Sequence, residues 1–353
     1  MAKKVYVGLS GGVDSSVAAA LLKEQGYSVV GVYMKNWTQS LPGFACPWKE
    51  DYQDAKRVAV QLNIPFKVFD FQKKYRQKVV NYMVGEYKAG RTPNPDIMCN
   101  QEIKFKLFLD TALEDNADLI ATGHYARINK TDDRQFYLQT AKDKNKDQTY
   151  FLYRMSEEAL SKTLFPLGGY TKPQVRALAK KFGLVTAAKK ESMGICFVGK
   201  VGIKEFLSSY VKAKPGNIID QNGSLVGRHD GAIFYTIGQR QGLGIGGQGL
   251  PYYVAGKNMA KNEVYVTTNL DDNRLWNNSA VLADQHWINV LPQKTKTYQI
   301  RTRHRAPLTE GTLQVAEGTL QVAFTDKIRA LTPGQSAVVY DGPLVLGGGI
   351  ISY

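Results

Sequence analysis

The chain has 353 residues, 43% of them hydrophobic, and carries 46 Lys and Arg against 31 Asp and Glu, a formal net charge of +15. That length exceeds one ordinary core and points to two or three domains, while the lack of any apolar run of about 18 residues argues against a membrane-spanning helix. The charge points either to a polyanionic partner, with nucleic acid first, or to no more than a basic soluble protein.

The three cysteines, Cys46, Cys99 and Cys196, are scattered. They form neither a secreted disulfide framework nor a Cys-x-x-Cys zinc site. Met-Ala-Lys-Lys runs straight into the first apolar stretch. No signal or transit peptide fits there, so a cytoplasmic location is expected.

Val5 to Leu9 is short, apolar and β-branched, and reads as a buried first strand. Val17 to Gly26 reads as a helix with a C-terminal glycine. The turn between them is Ser10-Gly11-Gly12-Val13-Asp14-Ser15-Ser16. Such a turn gathers backbone N–H groups, hydroxyls and the positive helix end at one point, which suits a phosphate. The lysine of the G-x-x-x-x-G-K-[ST] loop is missing. Asp14 beside phosphates implies a divalent cation between them, magnesium by chemistry. The string resembles the SGGxDS loop of the ATP pyrophosphatases, which hold the pyrophosphate of ATP while AMP is attached to a substrate.

Residues 27–34 form a second strand, completing a right-handed βαβ unit whose ligands belong at the strand carboxyl ends. Met34 ends that strand, either lining an adenine pocket or as a core methionine. Residues 35–49, with Cys46, read as a mobile loop. A helix over Glu50–Leu62, a strand over Ile64–Asp70 and a basic helix over Gln72–Lys88 follow.

In Gly90-Arg-Thr-Pro-Asn-Pro-Asp-Ile-Met-Cys-Asn100 two prolines forbid helix and stiffen a loop that displays Asn94, Asp96 and Cys99. Cys99 falls near the start of the next helix, Glu102–Leu113, where the dipole lowers a thiol pKa. A plain proline-stiffened connector with a buried cysteine fits the same letters. Ala117–Ala126 reads as a strand ending in Gly123, where a nucleotide could approach the backbone, and His124, read as structural rather than as a base. A hairpin of residues 125–128 with 136–140 leads to the polar loop Lys142–Gln148, placed against RNA. Leu178–Phe182 closes a further helix, and Cys196 follows in Gly194-Ile195-Cys196-Phe197.

After about residue 203 the character changes. Gly238–Gly247 is glycine-rich, but without a surrounding βαβ unit it is no dinucleotide fingerprint. From 273 onward short strands with turns predict a β-barrel. Arg301, Arg303 and Arg305 alternate, which would place three guanidiniums on one strand face. The heptad Glu310–Ala316 repeats at once as Glu317–Ala323, which predicts a hairpin turning at Glu317-Gly318.

Taken together, GLSGGVDSSV, GRTPNPDIMCNQEIKF, ATGHYARI, KDQTYFL, GICF, YTIGQRQGLGIGG and TPGQSAVVY resemble the tRNA-specific 2-thiouridylases from Lys4 to Tyr353. The resemblance implies an α/β fold in three parts: an N-terminal parallel-sheet PP-loop domain (1–203), a small central linking domain (204–272) and a C-terminal β-barrel that contacts tRNA (273–353). It implies ATP and magnesium, and the wobble uridine of glutamate, glutamine and lysine tRNAs as the target. It also implies a sulfur-donor protein, either a cysteine desulfurase or a small relay protein. Gly8, Leu9, Ser10, Gly11, Gly12, Val13, Asp14 and Ser15 match the ATP loop, and Met34 and Gly123 its further ATP contacts. Asn94, Pro95 and Asp96 match the segment touching the target base, with Asp96 as acid/base.

Cys99 matches the nucleophile and Cys196 the persulfide carrier, implying a Cys99–Cys196 disulfide after transfer. Lys146, Asp147 and Gln148 match one tRNA-binding segment, and Arg303 with His304 another, where the family usually has Arg-Tyr. Cys46 matches no catalytic position. Two routes stay open: Cys99 frees sulfur from the persulfide, or the terminal sulfur attacks the base directly. The rival readings are another PP-loop tRNA enzyme (a 4-thiouridine synthase or a lysidine-type ligase) or a tRNA-binding protein with a vestigial ATP loop.

Overall fold

The computed structural model describes residues 2–40, 46–130, 132, 134–190, 202–246, 249–294, 296–316 and 319–352. Strands β1 (Lys4–Gly8), β2 (Ser28–Lys35), β3 (Phe66–Asp70) and β4 (Leu119–Ala121), with β7 (Thr163–Leu164), form a parallel sheet in the order β3-β2-β1-β4-β7. Between β4 and β7 lies a hairpin, β5 (Arg127–Lys130) and β6 (Phe136–Gln139). Val5 and Val7 face one side of the sheet with Leu9, Ala19 and Leu22. Tyr6 faces the other, with Val30, Val32, Phe108 and Ile120. Both faces are covered by helices, which is why β1 and β2 read as nearly unbroken apolar runs.

The first helix, Val13–Glu24, starts inside the glycine-serine turn, four residues earlier than its apolar pattern suggested. The strand expected over 117–126 shrinks to Leu119–Ala121, because pairing with β1 and β7 ends there. The proline-rich stretch differs most from expectation. Pro95 does not forbid helix; it opens one. Asn94 caps the turn by accepting from the Asp96 amide at 3.1 Å, and Pro95 sits in the first turn, where its missing N–H costs nothing. The helix then runs unbroken through Pro95–Cys99, a π-helical stretch Asn100–Leu107 and Phe108–Glu114. Cys99 is its fifth residue, already past the first turn where a helix dipole acts most strongly.

The central part is a four-stranded sheet of β8 (Gly216–Ile219), β9 (Leu225–His229), β10 (Tyr253–Asn258) and β11 (Glu263–Thr267) in the order β10-β11-β8-β9. The described part of the glycine run, 238–246, contains no helix and no strand.

Strands β12 (Trp276–Trp287), β13 (Thr297–Arg301), β14 (Thr309–Ala316), β15 (Thr319–Arg329), β16 (Ser336–Asp341) and β17 (Leu344–Ser352) follow. They pair in the order β12-β15-β14-β13-β16-β17, and β12 closes on β17. The repeated heptad makes β14 and part of β15: Ala316 pairs with Thr319, and the turn residues 317–318 lie outside the described residues. In this register Leu313 of one copy meets Val322 of the other, and both are buried, so one Leu-x-Val pattern serves both strands.

The arginine alternation fails. β13 ends at Arg301, and Arg305 has a φ of +63° in the turn that follows, so the three arginines share no strand face. The barrel also reaches the N-terminal part, since β6 pairs with β17 through Gln139 and Leu344. Among the described residues no helix is long and apolar enough to cross a membrane.

Candidate nucleotide and thiolation site

β1 delivers the chain to the loop at its carboxyl end, and the loop is held by its own serines. Ser10 N donates to Ser15 Oγ at 3.1 Å, the two serine hydroxyls lie 3.2 Å apart, and Ser16 Oγ donates to Gly12 O at 2.8 Å. Gly12 caps the helix without a side-chain hydrogen bond, so the first-turn amides are left for an outside acceptor.

Two glycines have steric reasons. Gly11 has a φ of +74°, and a Cβ there would lie 2.4 Å from Asp51 O. A Cβ on Gly123 would lie 2.6 Å from Ser15 N and 2.8 Å from Asp14 C. Gly123 therefore has the glycine-serine loop itself lying on it. Met34 is 5% exposed, and its Cε lies over Gly8, so it packs in the core beside the site. Leu9 is buried beneath the loop, as is Val13 on the first turn of the helix.

Asp14 is not a bare carboxylate. Lys172 Nζ donates to both of its oxygens, at 2.7 and 2.8 Å, and Tyr125 OH donates to Oδ1 at 2.9 Å. Sequence reasoning missed both partners. The signal was indirect: Thr171 with Gln174 spells a capping box that starts a helix at Lys172.

The Asn94-capped helix runs antiparallel to the strands. Its far end lies at their amino ends, where Tyr6 OH donates to Asp115 Oδ2 at 2.9 Å and Lys4 N donates to Asp118 at 2.7 Å. Phe108 approaches Gly8 at the carboxyl end of β1. Cys99 is nine residues N-terminal to Phe108, about 13 Å further along at 1.5 Å per residue. Asn94, Pro95, Asp96 and Cys99 therefore stand beyond the strand ends on the same side as the glycine-serine loop. Cys99 is fully buried, whereas Asp96 is half-buried.

Gln335 Nε2 donates to Thr92 O at 2.8 Å and Thr92 N to Pro333 O at 2.8 Å, so the barrel fixes the approach to Asn94. Cys196 lies outside the described residues, and so does any bond between it and Cys99. Cys46 is half-buried, and burial pushes its thiol pKa up, which keeps it protonated.

His124 is a buried structural histidine. Nδ1 lies 2.7 Å from Thr122 Oγ1 and Nε2 lies 3.3 Å from Lys104 Nζ. Burial, then the Lys104 charge, push its pKa well below the ordinary value. With Lys104 donating to Nε2, the ring is neutral and protonated on Nδ1.

The two basic segments meet around one aromatic cluster. Asp147 is turned inward, accepting from Ala141 N at 2.9 Å and Thr149 Oγ1 at 2.7 Å, with Arg301 Nη1 3.5 Å away. Gln148 exchanges hydrogen bonds with the Tyr125 backbone. These two side chains shape the loop; Lys146 is partly exposed, and Lys142 and Lys144 are exposed. Arg303 is exposed and donates to Thr332 Oγ1 at 3.0 Å. His304 lies on Phe151, with centroids 4.3 Å apart and planes at 39°, so an aromatic contact survives where the family usually has tyrosine. Its Nδ1 is buried without a partner. Burial first, then Arg305 and Arg301, push its pKa down to about 4.

Comparison with known proteins decides the family. The model described as tRNA methyl transferase HUP domain matches residues 3–200, the tRNA methyl transferase PRC-barrel domain 204–268, and the aminomethyltransferase beta-barrel domain 278–351. The tRNA-specific 2-thiouridylase MnmA of Oceanobacillus iheyensis is 49% identical over 352 residues, covering 99% of this chain and 94% of that protein. The chain belongs to the tRNA-specific 2-thiouridylase family.

Proteins of the same name from Listeria monocytogenes and Streptococcus sanguinis are 49% and 48% identical, each over 99% of this chain and 94% or 95% of their own lengths. A solved 4-thiouridine synthetase–RNA complex with bound ATP overlaps at 19% identity and TM-score 0.38, over 59% of this chain and 50% of that one, too loosely to bear on function. The 2-thiouridylase architecture of HUP, PRC-barrel and β-barrel parts is the one described above.

Proposed function

We propose that the protein is a tRNA-uridine 2-sulfurtransferase. It adenylates O2 of the wobble uridine in glutamate, glutamine and lysine tRNAs with ATP, then replaces that oxygen with sulfur. The observation that carries the reading is the placement of two chemistries at one end of one sheet. A serine-braced loop with open helix amides and a helix start that bears Asn94, Asp96 and Cys99 both lie past the carboxyl ends of the strands.

The carbonyl oxygen at C2 of uracil is a poor leaving group. Attack of O2 on the α-phosphorus of ATP makes it one and expels pyrophosphate, while the N3 proton passes to Asp96, half-buried and beside the base. Magnesium, which neutralises triphosphate charge, would travel with ATP. Asp14 is the acid of the loop that would meet it, and it does so only when Lys172 turns away.

Sulfur then arrives as a persulfide on Cys196, loaded by a desulfurase or relay protein. In one route its terminal sulfur attacks C2 and AMP leaves; Cys99 thiolate attacks the Cys196 sulfur, and the thiocarbonyl is released. In the other, Cys99 attacks first and releases hydrosulfide, which attacks C2. Both end in a Cys99–Cys196 disulfide and 2-thiouridine, with N3 reprotonated, and both need a thiol reductant to reset the enzyme. Reaching one base of an anticodon loop requires it to be splayed into a pocket. Asn94, Pro95 and Asp96 are assigned to that base. Lys146, with Asp147 and Gln148 shaping its loop, and Arg303 with His304 are assigned to the tRNA backbone and its stacked bases. The parts divide as 1–203, 204–272 and 273–353, in a cytoplasmic protein.

The test is nucleoside mass spectrometry of unmodified glutamate tRNA incubated with the protein, ATP, magnesium and a sulfide source. The expected result is 2-thiouridine at the wobble position. A thiolated base elsewhere would move the protein to a sister activity.

A further inference from the structure

The ATP loop has no lysine of its own, yet an ammonium stands in it. Lys172 opens the helix Lys172–Lys181, and its backbone is pinned from two directions. Thr171 and Gln174 cap each other across the first turn, and Lys172 N donates to Asp143 Oδ2 at 2.8 Å. From that fixed base the side chain, 11% exposed, spans to Asp14, whose carboxylate it grips through both oxygens. The ammonium lies 5.8 Å from the centre of the Tyr125 ring, and Tyr125 OH holds the same carboxylate.

Asp14 is the second residue of the helix Val13–Glu24. The positive helix end and the ammonium therefore converge on one spot, at the Asp14 carboxylate. Two positive groups so placed suit a ligand with more than one negative charge, and the half-buried setting strengthens the attraction.

We propose that Lys172 is the phosphate-binding cation of this site, engaging the β- and γ-phosphates of ATP and staying with the pyrophosphate as it leaves. It does from a distant helix what the loop lysine does in G-x-x-x-x-G-K-[ST] proteins. In the nucleotide-free protein Asp14 keeps the ammonium oriented. When the triphosphate arrives, the ammonium turns to its oxygens and the Asp14 carboxylate is released. The α-phosphate, which ends on AMP, is left to the helix amides and serines. The proposal rests on reading the loop as an ATP site.

Inorganic pyrophosphate and AMP, each with magnesium, are titrated calorimetrically into the wild-type protein and into Lys172→Met, Lys172→Gln and Lys172→Arg. Both neutral variants are expected to lose pyrophosphate affinity ten-fold or more while AMP affinity changes less than two-fold, and arginine is expected to recover most of the loss. Glutamine still hydrogen-bonds Asp14, so it keeps the local structure if methionine does not fold. Normal pyrophosphate binding in Lys172→Gln would overturn the proposal, since Lys172 would then only position Asp14. Equal loss of AMP and pyrophosphate would also overturn it. Wild-type protein that binds neither pyrophosphate nor ATP would instead sink the ATP-site reading, and the proposal with it.

Discussion

Gly123→Ala separates two reasons for having a glycine at the end of β4. If the residue is small so that ATP can approach, an added methyl hurts only the bound state. The structure gives a different reason. The new Cβ would lie 2.6 Å from Ser15 N, 2.8 Å from Asp14 C and 3.0 Å from Ser15 Cα, all backbone atoms of the ATP loop. Ordinary contact begins near 3.4 Å, so the loop has to retreat by about 0.8 Å. Overpacking of this kind costs about 1–3 kcal/mol. The retreat pulls on the Ser10–Ser15 brace and on the first-turn amides, so ATP binding suffers with stability. If the whole strain falls on the bound loop, affinity drops about 5- to 150-fold. Equilibrium dialysis with ATP and urea denaturation of the free protein read the two effects separately. Unchanged stability together with unchanged ATP affinity would refute the steric reasoning. Lost affinity at unchanged stability would mean that the methyl meets nucleotide and not loop.

The remaining predictions concern the thiolation helix and acid sensitivity. Cys99→Ser and Cys196→Ser are each expected to abolish 2-thiouridine formation with tRNA affinity nearly intact; wild-type turnover in either, read by nucleoside mass spectrometry, would exclude the two-cysteine mechanism. Asn94→Ala removes the cap on the Asp96 amide and is expected to cost about 0.5–2 kcal/mol; an unshifted urea midpoint would refute the capping role. All four histidines are held below their ordinary pKa, with burial the largest cause at each. The unfolded chain takes up protons near pH 6.5, before the fold does, so stability is expected to fall as pH drops from about 6.5 toward 4. His304, facing Arg301 and Arg305 and pushed down to about 4, contributes to that slope. His304→Phe should flatten it in urea titrations between about pH 7 and pH 4.5, and an unchanged slope would refute the assignment.

The sequence by itself determined the elements whose signals are local. β1 and β2 were legible because both of their faces are buried in a parallel sheet, which leaves continuous apolar runs. The strand–turn–helix around Ser10–Ser16 was legible because an apolar run, a glycine-serine turn and a second apolar run follow one another in sequence. The doubled heptad predicted its own hairpin, since period-2 alternation lets one string serve both strands.

Local rules misjudged Pro95, because proline both breaks a helix and begins one, and only the Asn94 cap decides which. They misjudged the arginines, because alternation means a shared face only while the strand continues, and the chain turns after Arg301. Long-range contacts carry no local signal at all. Lys172 meets Asp14 from 158 positions away, Arg301 of the barrel meets Asp147 of the loop before it, and β6 joins β17. Each depends on how sheets and helices stack once their apolar faces are buried, and that packing is a property of the whole chain.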